Sequence, residues 1–332
     1  MFQSKKAISI LFTLLLCFAI SISSTNSGAS AATGLNYPRS TITITVGFAA
    51  GGASDILSRT LAEQLSKQIG QPVIVVNRPG AGGSIAVTEV LNARPDGYNI
   101  AFGSNGSLLI NPHVTDFNFM PEDFTPLTLL TEIPIGIAVN VDSQFMTMRD
   151  LIDYAKQNPG RIRYTSAGIN STPHLVFEAI SIREGGIAWN HVPQVGTPQA
   201  LADLMGGHID VYVINIPSLL SGYQGGTIRV IATTSNERFE AMPDVPTLKE
   251  ALGYDVPFTV WFGLVMHKDT PREIVEYLHY EIQKAMQNPT LIEQWENLQF
   301  PPLLMNLENF VEKCAADGYM YLAILREMDV ID

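Results

Sequence analysis

The amino-acid sequence predicts an α/β protein with two domains. Short β-branched runs alternate along the chain with segments whose apolar residues recur at helical spacing. The chain has 332 residues, of which 46% are hydrophobic and 16% are charged. That length exceeds what one ordinary core needs and accommodates two α/β domains. We therefore expect a fold that is stable without a metal ion or a disulfide bond.

The first elements of the chain form a predicted βαβαβ unit. Thr41–Val46 is β-branched throughout, and the small-residue loop Gly47–Ser54 follows it. Leu57, Leu61 and Leu65 then recur every four residues on one helix face. This alternation predicts parallel strands. The remaining elements of the unit are a strand at Val73–Val76, a helix at Ser84–Leu91 and a strand at Asn99–Phe102.

A second set of alternating elements follows and predicts a second, separate sheet. Its members, in chain order, are a strand at Ile133–Val139, a helix at Met148–Ala155, a strand at Arg163–Thr165, a helix at Leu175–Ile182, a strand ending at His191 and Val192, a helix at Ala200–Met205, and strands at Ile209–Ile214 and Arg229–Ala232.

The last part of the chain is predicted to return to the first domain, because the first βαβαβ unit alone is too small to bury a stable core. An apolar strand at Val260–Met266 precedes three helical stretches, Pro271–Met286, Pro289–Leu298 and Leu307–Met328. We expect residues 37–135 and 260–332 to form domain 1 and residues 136–259 to form domain 2, without a linker rich in Gly, Ser or Pro between them.

Thr-Pro pairs are predicted to begin three of the helices. The pairs are Thr172-Pro173, Thr197-Pro198 and Thr270-Pro271. Thr is expected as the N-cap residue, and Pro suits the first helical position because it has no N–H to leave unpaired. Glu273 would complete a capping box behind Thr270.

Residues 1–31 are predicted to be a secretory signal peptide. Lys5 and Lys6 precede an apolar run too short to span ~30 Å of hydrocarbon, and Ala29-Ser30-Ala31 has the small residues of a cleavage site. Cys17 would leave with the signal, so Cys314, expected in the core of the last helix, has no partner for an internal disulfide. We expect a periplasmic protein.

The charge of the predicted mature chain argues against nucleic acid as a partner. Loss of Lys5 and Lys6 changes the formal net charge from −12 to −14. Binding to a phosphate backbone needs a basic face, and none is visible in the sequence. Binding of a small anion depends on local donors and is compatible with this charge.

Enzyme and cofactor motifs are weak. Gly80–Gly83 lies between a strand and a helix, but the third Gly of a dinucleotide-binding motif would fall at Ile85, so a tight turn is favoured. His174 and Glu178 are four residues apart, but without an HExxH motif they do not predict a metal site. No GxSxG motif frames a serine. We predict no cofactor, no metal and no catalytic residue.

Three loops rich in Gly, Ser, Asn and Thr follow predicted strands: Phe48–Asp55, Gly103–Ser107, and the stretch YTSAGINSTPHL from Tyr164 to Leu175. Each loop alone is explained by turn formation, but loops at successive strand ends meet beyond the carboxyl edge of an open α/β sheet, where ligands bind. Unpaired N–H groups at helix starts hold anions without Arg or Lys. The predicted extra donors are the side chains of Ser104, Ser107, Ser166, Asn170 and Ser171.

These loops belong to a longer set of motifs in which the chain resembles the solute-binding proteins of tripartite tricarboxylate transporters, the Bug-type receptors. The motifs run in order from Tyr37 to about Thr270. They are Tyr37-Pro38, the loop Gly47–Asp55, Gly70-Gln71-Pro72-Val73, Asn77–Gly83, Pro95-Asp96-Gly97-Tyr98, Ser166-Ala167-Gly168 through His174-Leu175, and Pro243-Asp244-Val245-Pro246-Thr247.

The resemblance implies a type II periplasmic-binding-protein fold, in which two α/β domains close on a small carboxylate that is then delivered to a membrane permease. It also implies that the loop after the first strand and a loop of the second domain reach the ligand largely through water, while the helix start from Ser166 to His174 holds the carboxylate. The ligand-binding residues it nominates are Phe48, Ala49, Gly51, Gly52, Ser54, Asp55, Ser104, Asn105, Ser107, Ser166, Ala167, Gly168, Asn170, Ser171 and His174.

Six residues, at four places in the chain, depart from those usual in that family. Asn170 replaces a Gly, Gln194-Val195 replaces Tyr-Lys, Ala49-Ala50 replaces Pro-Pro, and Ile214 replaces a frequent Asp. The departures predict a more apolar cavity floor and a less basic rim. They leave the ligand open between di- or tricarboxylates and aromatic or aliphatic carboxylates.

Three functions are compatible with the sequence. The first is a monomeric periplasmic receptor that closes on a carboxylate and serves the permease subunits of a tripartite tricarboxylate transporter. The second is a secreted α/β hydrolase or lyase that uses Ser171 or His174 in the same cleft. The third is a receptor that docks on a membrane sensor in place of a permease.

Overall fold

A nine-stranded mixed sheet runs through the part of the chain that this computed structural model describes, residues 35–193, 196–254, 258–327 and 330–331. The order of the strands is β2-β1-β3-β9-β4-β7-β5-β6, and β8 pairs with β4. The strands are β1 (Ile42–Val46), β2 (Val73–Asn77), β3 (Asn99–Ser104), β4 (Phe124–Asn140), β5 (Arg163–Thr165), β6 (Asn190–His191), β7 (Val211–Asn215), β8 (Ile228–Thr233) and β9 (Thr259–His267). The predicted signal peptide, residues 1–31, lies outside the described residues.

The helices cover this sheet and connect its strands. They are α1 (Ala53–Ile69), α2 (Ser84–Leu91), α3 (Asn111–Val114), α4 (Met148–Gln157), α5 (Thr172–Arg183), α6 (Thr197–Met205), α7 (Ile216–Gln224), α8 (Leu248–Leu252), α9 (Arg272–Met286), α10 (Pro289–Asn297) and α11 (Leu307–Glu327). A π-helical turn at Gly106–Ile110 leads into α3. Short 3₁₀ turns occupy Ala81–Gly83 and Pro121–Asp123.

The predicted βαβαβ unit is confirmed. β1 pairs in parallel with β2 on one side and with β3 on the other. Leu57, Leu61 and Leu65 of α1 are fully buried, as their spacing predicts. The returning strand β9 pairs antiparallel with β3, and α9 packs against α1. Cys314 is a buried free thiol in α11, as expected.

The prediction of two separate sheets is wrong, because β4 is long enough to join them. Its residues 124–134 pair with β9, and its residues 135–140 pair with β7 and β8. The sequence shows only the second of these segments, since Pro126 and Pro134 disguise the first. Bulges accommodate the first segment, with register shifts between Pro126 and Thr128 and between Leu129 and Thr131.

β4 therefore divides the sheet into two halves that share one strand. We call β2, β1, β3, β9 and residues 124–134 of β4 the first half, and residues 135–140 of β4 with β7, β8, β5 and β6 the second half. The predicted boundary between domain 1 and domain 2 at residues 135 and 136 lies close to the point where β4 changes its pairing from β9 to β7 and β8. The domain limits 37–135, 136–259 and 260–332 stay a prediction.

The Thr-Pro pairs do not act as predicted. Thr172 and Thr197 are the first residues of α5 and α6, so the N-cap residues are Ser171 and Gly196. In the third pair the N-cap is Pro271 itself, and no side chain caps the helix. The predicted capping box of Thr270 and Glu273 is therefore wrong. The N-cap lies one residue before the Thr in the first two pairs and one residue after it in the third.

Candidate functional site

A cavity of about 330 Å³ lies beyond the carboxyl ends of β1, β3 and β5, at the starts of α1, α5 and α6. Its volume is within the range of small-molecule sites. Both halves of the sheet contribute to its lining. The nominated residues that line it are Phe48, Ala49, Gly52, Ser54, Ser104, Ser166, Ala167, Gly168 and Ser171.

Six other nominated residues lie outside this lining and have other contacts. They are Gly51, Asp55, Asn105, Ser107, Asn170 and His174. The cavity also has walls that the sequence reasoning did not nominate. These come from the turn after β2, from the start of α6, from β7, from the first turn of α7 and from β9: Pro79, Gly80, Gly82, Gly83, Gly196, Thr197, Pro198, Tyr212, Ile214, Asn215, Ser218, Val260 and Phe262.

The turn Gly80–Gly83 is a place of close chain approach, in agreement with its interpretation as a tight turn. A Cβ atom at Gly47 would lie 2.4 Å from Gly83 Cα, so the loop after β1 packs directly on this turn. Gly83 has a φ of 105°, and a Cβ there would lie 3.2 Å from Phe48 Cζ. Larger residues at these two positions would push the wall of the cavity apart.

The start of α1 faces the cavity without a side-chain cap. Its N-cap residue is Gly52, which has no side chain that could accept from the first-turn N–H groups. Ser54 in that first turn lines the cavity and is only 5% exposed. Its hydroxyl group has no hydrogen-bond partner among the described residues. This helix start therefore offers unused N–H and O–H donors.

Asp55 belongs to the same turn but acts inside the protein. Its carboxylate accepts from the Gly51 N–H at 2.9 Å, from Asn77 Nδ2 at 3.0 Å and from Arg59 at 2.9 Å. Burial alone would raise the pKa of Asp55, but these hydrogen bonds outweigh burial and lower it. Asp55 is thus a carboxylate that shapes the loop, which explains why neither it nor Gly51 lines the cavity.

Most hydrogen-bonding groups at the start of α5, the part of the site that the sequence indicates most strongly, are already bound to other groups of the protein. Ser171 Oγ accepts from the His174 N–H at 3.4 Å and donates to the Gly168 carbonyl at 2.7 Å. Ser166 Oγ donates to the same carbonyl at 3.0 Å. Pro173 has no N–H. In this turn, among the described residues, only the Thr172 N–H is left without a partner.

The start of α6 resembles that of α1. Its N-cap residue is Gly196, no side chain caps it, and Gly196, Thr197 and Pro198 line the cavity. Tyr212 of β7 lies against Thr197. Burial raises the pKa of Tyr212 to about 12, although the hydrogen bond with Thr197 opposes the rise. The Tyr212 hydroxyl is therefore protonated at neutral pH.

Two strands supply the apolar floor of the cavity. Tyr212 and Ile214 are two residues apart on β7, and Val260 and Phe262 are two residues apart on β9, so each pair projects from one face of its strand. All four line the cavity. Sequence reasoning missed three of them because buried strand residues that contact a ligand look like any core residues. Only the departure at Ile214 pointed here.

Asn105 was nominated as a ligand residue, but it is fully buried, and both polar atoms of its side chain already have hydrogen-bond partners in the protein. Its Nδ2 donates to the Thr259 carbonyl at 2.7 Å and contacts the Tyr321 hydroxyl at 2.5 Å. Its Oδ1 accepts from the Thr172 hydroxyl at 2.9 Å. Asn105 thus links β9, the C-terminal helix α11 and the start of α5. Ser107 is also fully buried, and its hydroxyl donates to the Ser104 carbonyl at 3.1 Å.

His174 lies behind the cavity in an aromatic and polar cluster. Its ring packs edge-on against His191 at 4.9 Å and lies 6.2 Å from the ring of Tyr164. The Asn170 N–H donates to its Nδ1 at 3.4 Å. Burial, with a smaller contribution from His191, lowers the pKa of His174 to about 4. Neutral His174 is therefore a structural residue at physiological pH.

Other groups connect this cluster to the cavity wall. Ser166 Oγ lies 3.0 Å from His191 Nε2. Tyr164 donates to Glu178, and burial raises the pKa of Glu178 although that hydrogen bond lowers it. The Asn170 side chain donates to Thr115 Oγ1 at 3.2 Å, outside the cavity lining.

The two halves touch across the cavity at two places. A Cβ at Gly196 would lie 3.6 Å from Ala49 Cβ, so the loop after β1 meets the start of α6. A Cβ at Gly168 would lie 3.5 Å from Gly82 Cα, so the turn after β2 meets the loop after β5. The small residues at these contacts let the backbones approach closely.

The described lining of the cavity is electrically neutral. None of its residues is Asp, Glu, Lys, Arg or His. Gln194 and Val195, where the chain departs from the family it resembles, lie outside the described residues. Within the described ranges no cluster of three or more His, Cys, Asp or Glu residues suits a metal ion. No described helix is long and apolar enough to cross a membrane.

Comparison with known proteins identifies the family. The family model "Tripartite tricarboxylate transporter family receptor" matches residues 57–327. A UPF0065 protein encoded in the gbd 5′ region of Cupriavidus necator is 34% identical over 293 residues, which cover 88% of each chain.

Solved structures give the same result. The periplasmic binding protein BugD is 28% identical, with a TM-score of 0.81 over 89% of this chain and 99% of BugD. Rpa4515 of R. palustris with adipate is 26% identical, with a TM-score of 0.81 over 89% of this chain and 99% of that chain. MatC of Rhodopseudomonas palustris with malate is 25% identical, with a TM-score of 0.78 over 89% and 100%.

The matched structures cover 89% of this chain. They confirm the prediction of a type II periplasmic-binding-protein fold. They also decide between receptor and hydrolase, because the matched family consists of solute-binding proteins that carry out no reaction. The chain belongs to the tripartite tricarboxylate transporter receptor family, the Bug-type solute-binding proteins.

Proposed function

We propose that the protein captures a small organic carboxylate outside the cytoplasmic membrane and delivers it to the permease subunits of a tripartite tricarboxylate transporter. One observation carries this proposal: a neutral cavity is flanked by two helix starts whose N–H groups no side chain caps. Helix N-termini favour anions through their free N–H groups and the helix dipole. Family relatives with adipate and malate support a carboxylate as the ligand.

The carboxylate is proposed to bind between the start of α1 and the start of α6. Ser54 contributes its unpartnered hydroxyl, and the first turn of α1 contributes N–H groups. The start of α6 faces the loop after β1 at the Ala49–Gly196 contact. The Thr172 N–H is the free donor of α5. In this arrangement Ser171 and Ser166 hold the loop in place, and the ligand does not need their protons.

The ligand is proposed to act by stabilising a closed arrangement of two domains, residues 37–135 with 260–332 and residues 136–259. The cavity is lined by both halves of the sheet, so a ligand inside it contacts both. A ligand that binds one arrangement better shifts the population toward it. The permease would then recognise the closed, loaded form.

Export and assembly complete the proposal. Residues 1–31 act as a cleaved signal peptide, and the mature protein is a periplasmic monomer. Edman sequencing of the secreted protein checks the cleavage after Ala31, and light scattering checks the monomer. A membrane sensor that binds the loaded protein in a pull-down, where the permease subunits do not, would replace the permease as its partner.

The first experiment is a thermal-shift screen of mature protein that has been unfolded in guanidinium chloride and refolded to remove bound ligand. A ligand at 100 times its Kd adds about 2.7 kcal/mol to stability, which raises the Tm by several degrees in a protein of this size. We expect one or a few carboxylates to do so. Refolded protein whose Tm does not change with any carboxylate of a broad panel would refute carboxylate capture.

A further inference from the structure

The floor of the cavity restricts the class of ligand. Tyr212, Ile214, Val260 and Phe262 are between 1% and 5% exposed, and their side chains form the cavity wall along β7 and β9. Phe48 adds a third aromatic ring, which packs on the turn at Gly83. This surface gives an apolar group of the ligand a place to leave water.

Apart from the Tyr212 hydroxyl, which hydrogen-bonds with Thr197, the hydrogen-bond donors lie on loops and helix starts and not on this floor. Ser54 and the first turns of α1 and α6 present neutral O–H and N–H groups. A carboxylate has two oxygens and is satisfied by a few such donors. The described lining contains no cation, and the side chains of Ile214, Val260 and Phe262 carry no donor for a second carboxylate.

Asn215 is the polar residue beside the floor, and it cannot accept from an ammonium group. Its Oδ1 already accepts from the Ser218 N–H at 3.1 Å and from the Ser218 hydroxyl at 2.8 Å. Its Nδ2 is a neutral NH2 group that can donate but cannot accept. An ammonium or a second carboxylate against Ile214 and Phe262 would therefore lose its hydration without an adequate partner.

We propose that the natural ligand is a monocarboxylate with one apolar body, the size of an aromatic ring or a short alkyl chain, and without an ammonium group. The proposal rests on the proposed function and specifies its ligand. The carboxylate lies at the starts of α1 and α6, and the apolar body lies on Ile214, Val260 and Phe262. A cavity of about 330 Å³ has room for both, since a ring of benzene size fits a cavity of about 150 Å³.

The test is isothermal titration calorimetry of the refolded mature protein with a matched set of ligands: hexanoate, adipate, 6-aminohexanoate and phenylacetate. We expect hexanoate or phenylacetate to bind at least about 100-fold more tightly than adipate and 6-aminohexanoate, because the last two place a charge on an apolar surface. Binding of adipate or 6-aminohexanoate as tight as that of hexanoate and phenylacetate would overturn the inference and leave the proposed function standing. If no carboxylate binds, the proposed function fails with it.

Variants of Ile214 test where the apolar body binds without requiring that the natural ligand be known. Ile214→Asp adds an acceptor for an ammonium group, and Ile214→Asn is its neutral match. We expect Ile214→Asp to raise the affinity for 6-aminohexanoate relative to hexanoate by about tenfold or more, and Ile214→Asn to weaken hexanoate without that change of preference. If Ile214→Asp leaves the ratio of the two affinities unchanged, the apolar body does not lie on this floor.

Discussion

The starts of α1 and α5 differ in what their donors already bind. At α5, Ser171 caps the helix, and the hydroxyls of both Ser166 and Ser171 donate to the Gly168 carbonyl. At α1, Gly52 leaves the first turn uncapped, and the Ser54 hydroxyl has no partner in the described structure. Both turns line the same cavity. A serine at a helix start is therefore a ligand donor or a structural cap according to its local contacts.

The comparison separates two kinds of variant. Loss of the Ser54 hydroxyl at the start of α1 should lower ligand affinity and leave the fold intact, because this hydroxyl has no other partner among the described residues. Changes at the start of α5 and in the groups behind it should lower the free energy of unfolding, because those groups satisfy one another.

The largest expected effect is that of a negative charge at the start of α1. Ser54→Asp should weaken carboxylate binding by at least about 100-fold, since like charges a few ångströms apart in a cavity repel strongly. Ser54→Asn is the neutral control and should lose less than about tenfold. Calorimetric titration with the carboxylate found in the thermal-shift screen measures both. Equal losses in the two variants would place the carboxylate away from α1.

A substitution of Asn105 tests how much the buried hydrogen bonds behind α5 contribute to stability. Asn105→Leu removes the side-chain donor to the Thr259 carbonyl and one partner each of the Tyr321 and Thr172 hydroxyls, which also hydrogen-bond to each other. We expect the free energy of unfolding in urea to fall by about 2–3 kcal/mol. Tyr321→Phe removes one of these contacts and should cost about 1 kcal/mol. A stable Asn105→Leu variant that binds no ligand would restore Asn105 as a direct ligand residue.

Lowering the pH should weaken the same region through His174. Its pKa is about 4 in the folded protein and 6.5 when unperturbed, so the unfolded chain takes up the proton first and stability falls as the pH drops from 6.5 toward 4. Between pH 7 and pH 4.5 this one group should cost about 2 kcal/mol. Urea unfolding of the wild type and of His174→Gln at both pH values isolates the effect. The variant should lose less stability on acidification; an identical loss would mean that His174 is not buried as a neutral ring.

The smallest expected effects are those of replacing each of the two serines, Ser171 and Ser54, by alanine. Ser171→Ala removes an N-cap and should cost about 1 kcal/mol of folding stability. Ser54→Ala removes one neutral hydrogen bond and should weaken the ligand by about fivefold, with an unchanged melting temperature in the absence of ligand. Thermal unfolding and calorimetry of both variants show whether the two effects separate. A Ser171→Ala protein with normal stability and weaker binding would reverse the assignment.

Much of the fold can be predicted from the sequence because its strands and helices have clear periodicity. The first unit, the buried face of α1 and the buried Cys314 all follow from apolar spacing. The first part of β4 could not be predicted, because Pro126 and Pro134 oppose a strand and only pairing with β9 stabilises it.

The site was predictable at the level of loops and not at the level of atoms. Loop composition places Ser54, Ser166 and Ser171 near one cavity, but it does not tell which hydroxyl is already used. Asn105 has the residue type of a ligand donor, and its burial against Tyr321 depends on a helix more than 200 residues away in the chain. The floor residues Val260 and Phe262 have no polar signal at all.

The strand that belongs to both halves affects how a ligand could enter. β4 continues without interruption where it exchanges β9 for β7, between Pro134 and Ile135. If the halves move apart, this strand must bend there, since its hydrogen bonds on either side bind it to different neighbours. The rate at which a ligand enters would then depend on how easily β4 bends at this point. A substitution at position 134 or 135 that makes the strand more or less flexible would change the rate of ligand uptake without contacting the ligand.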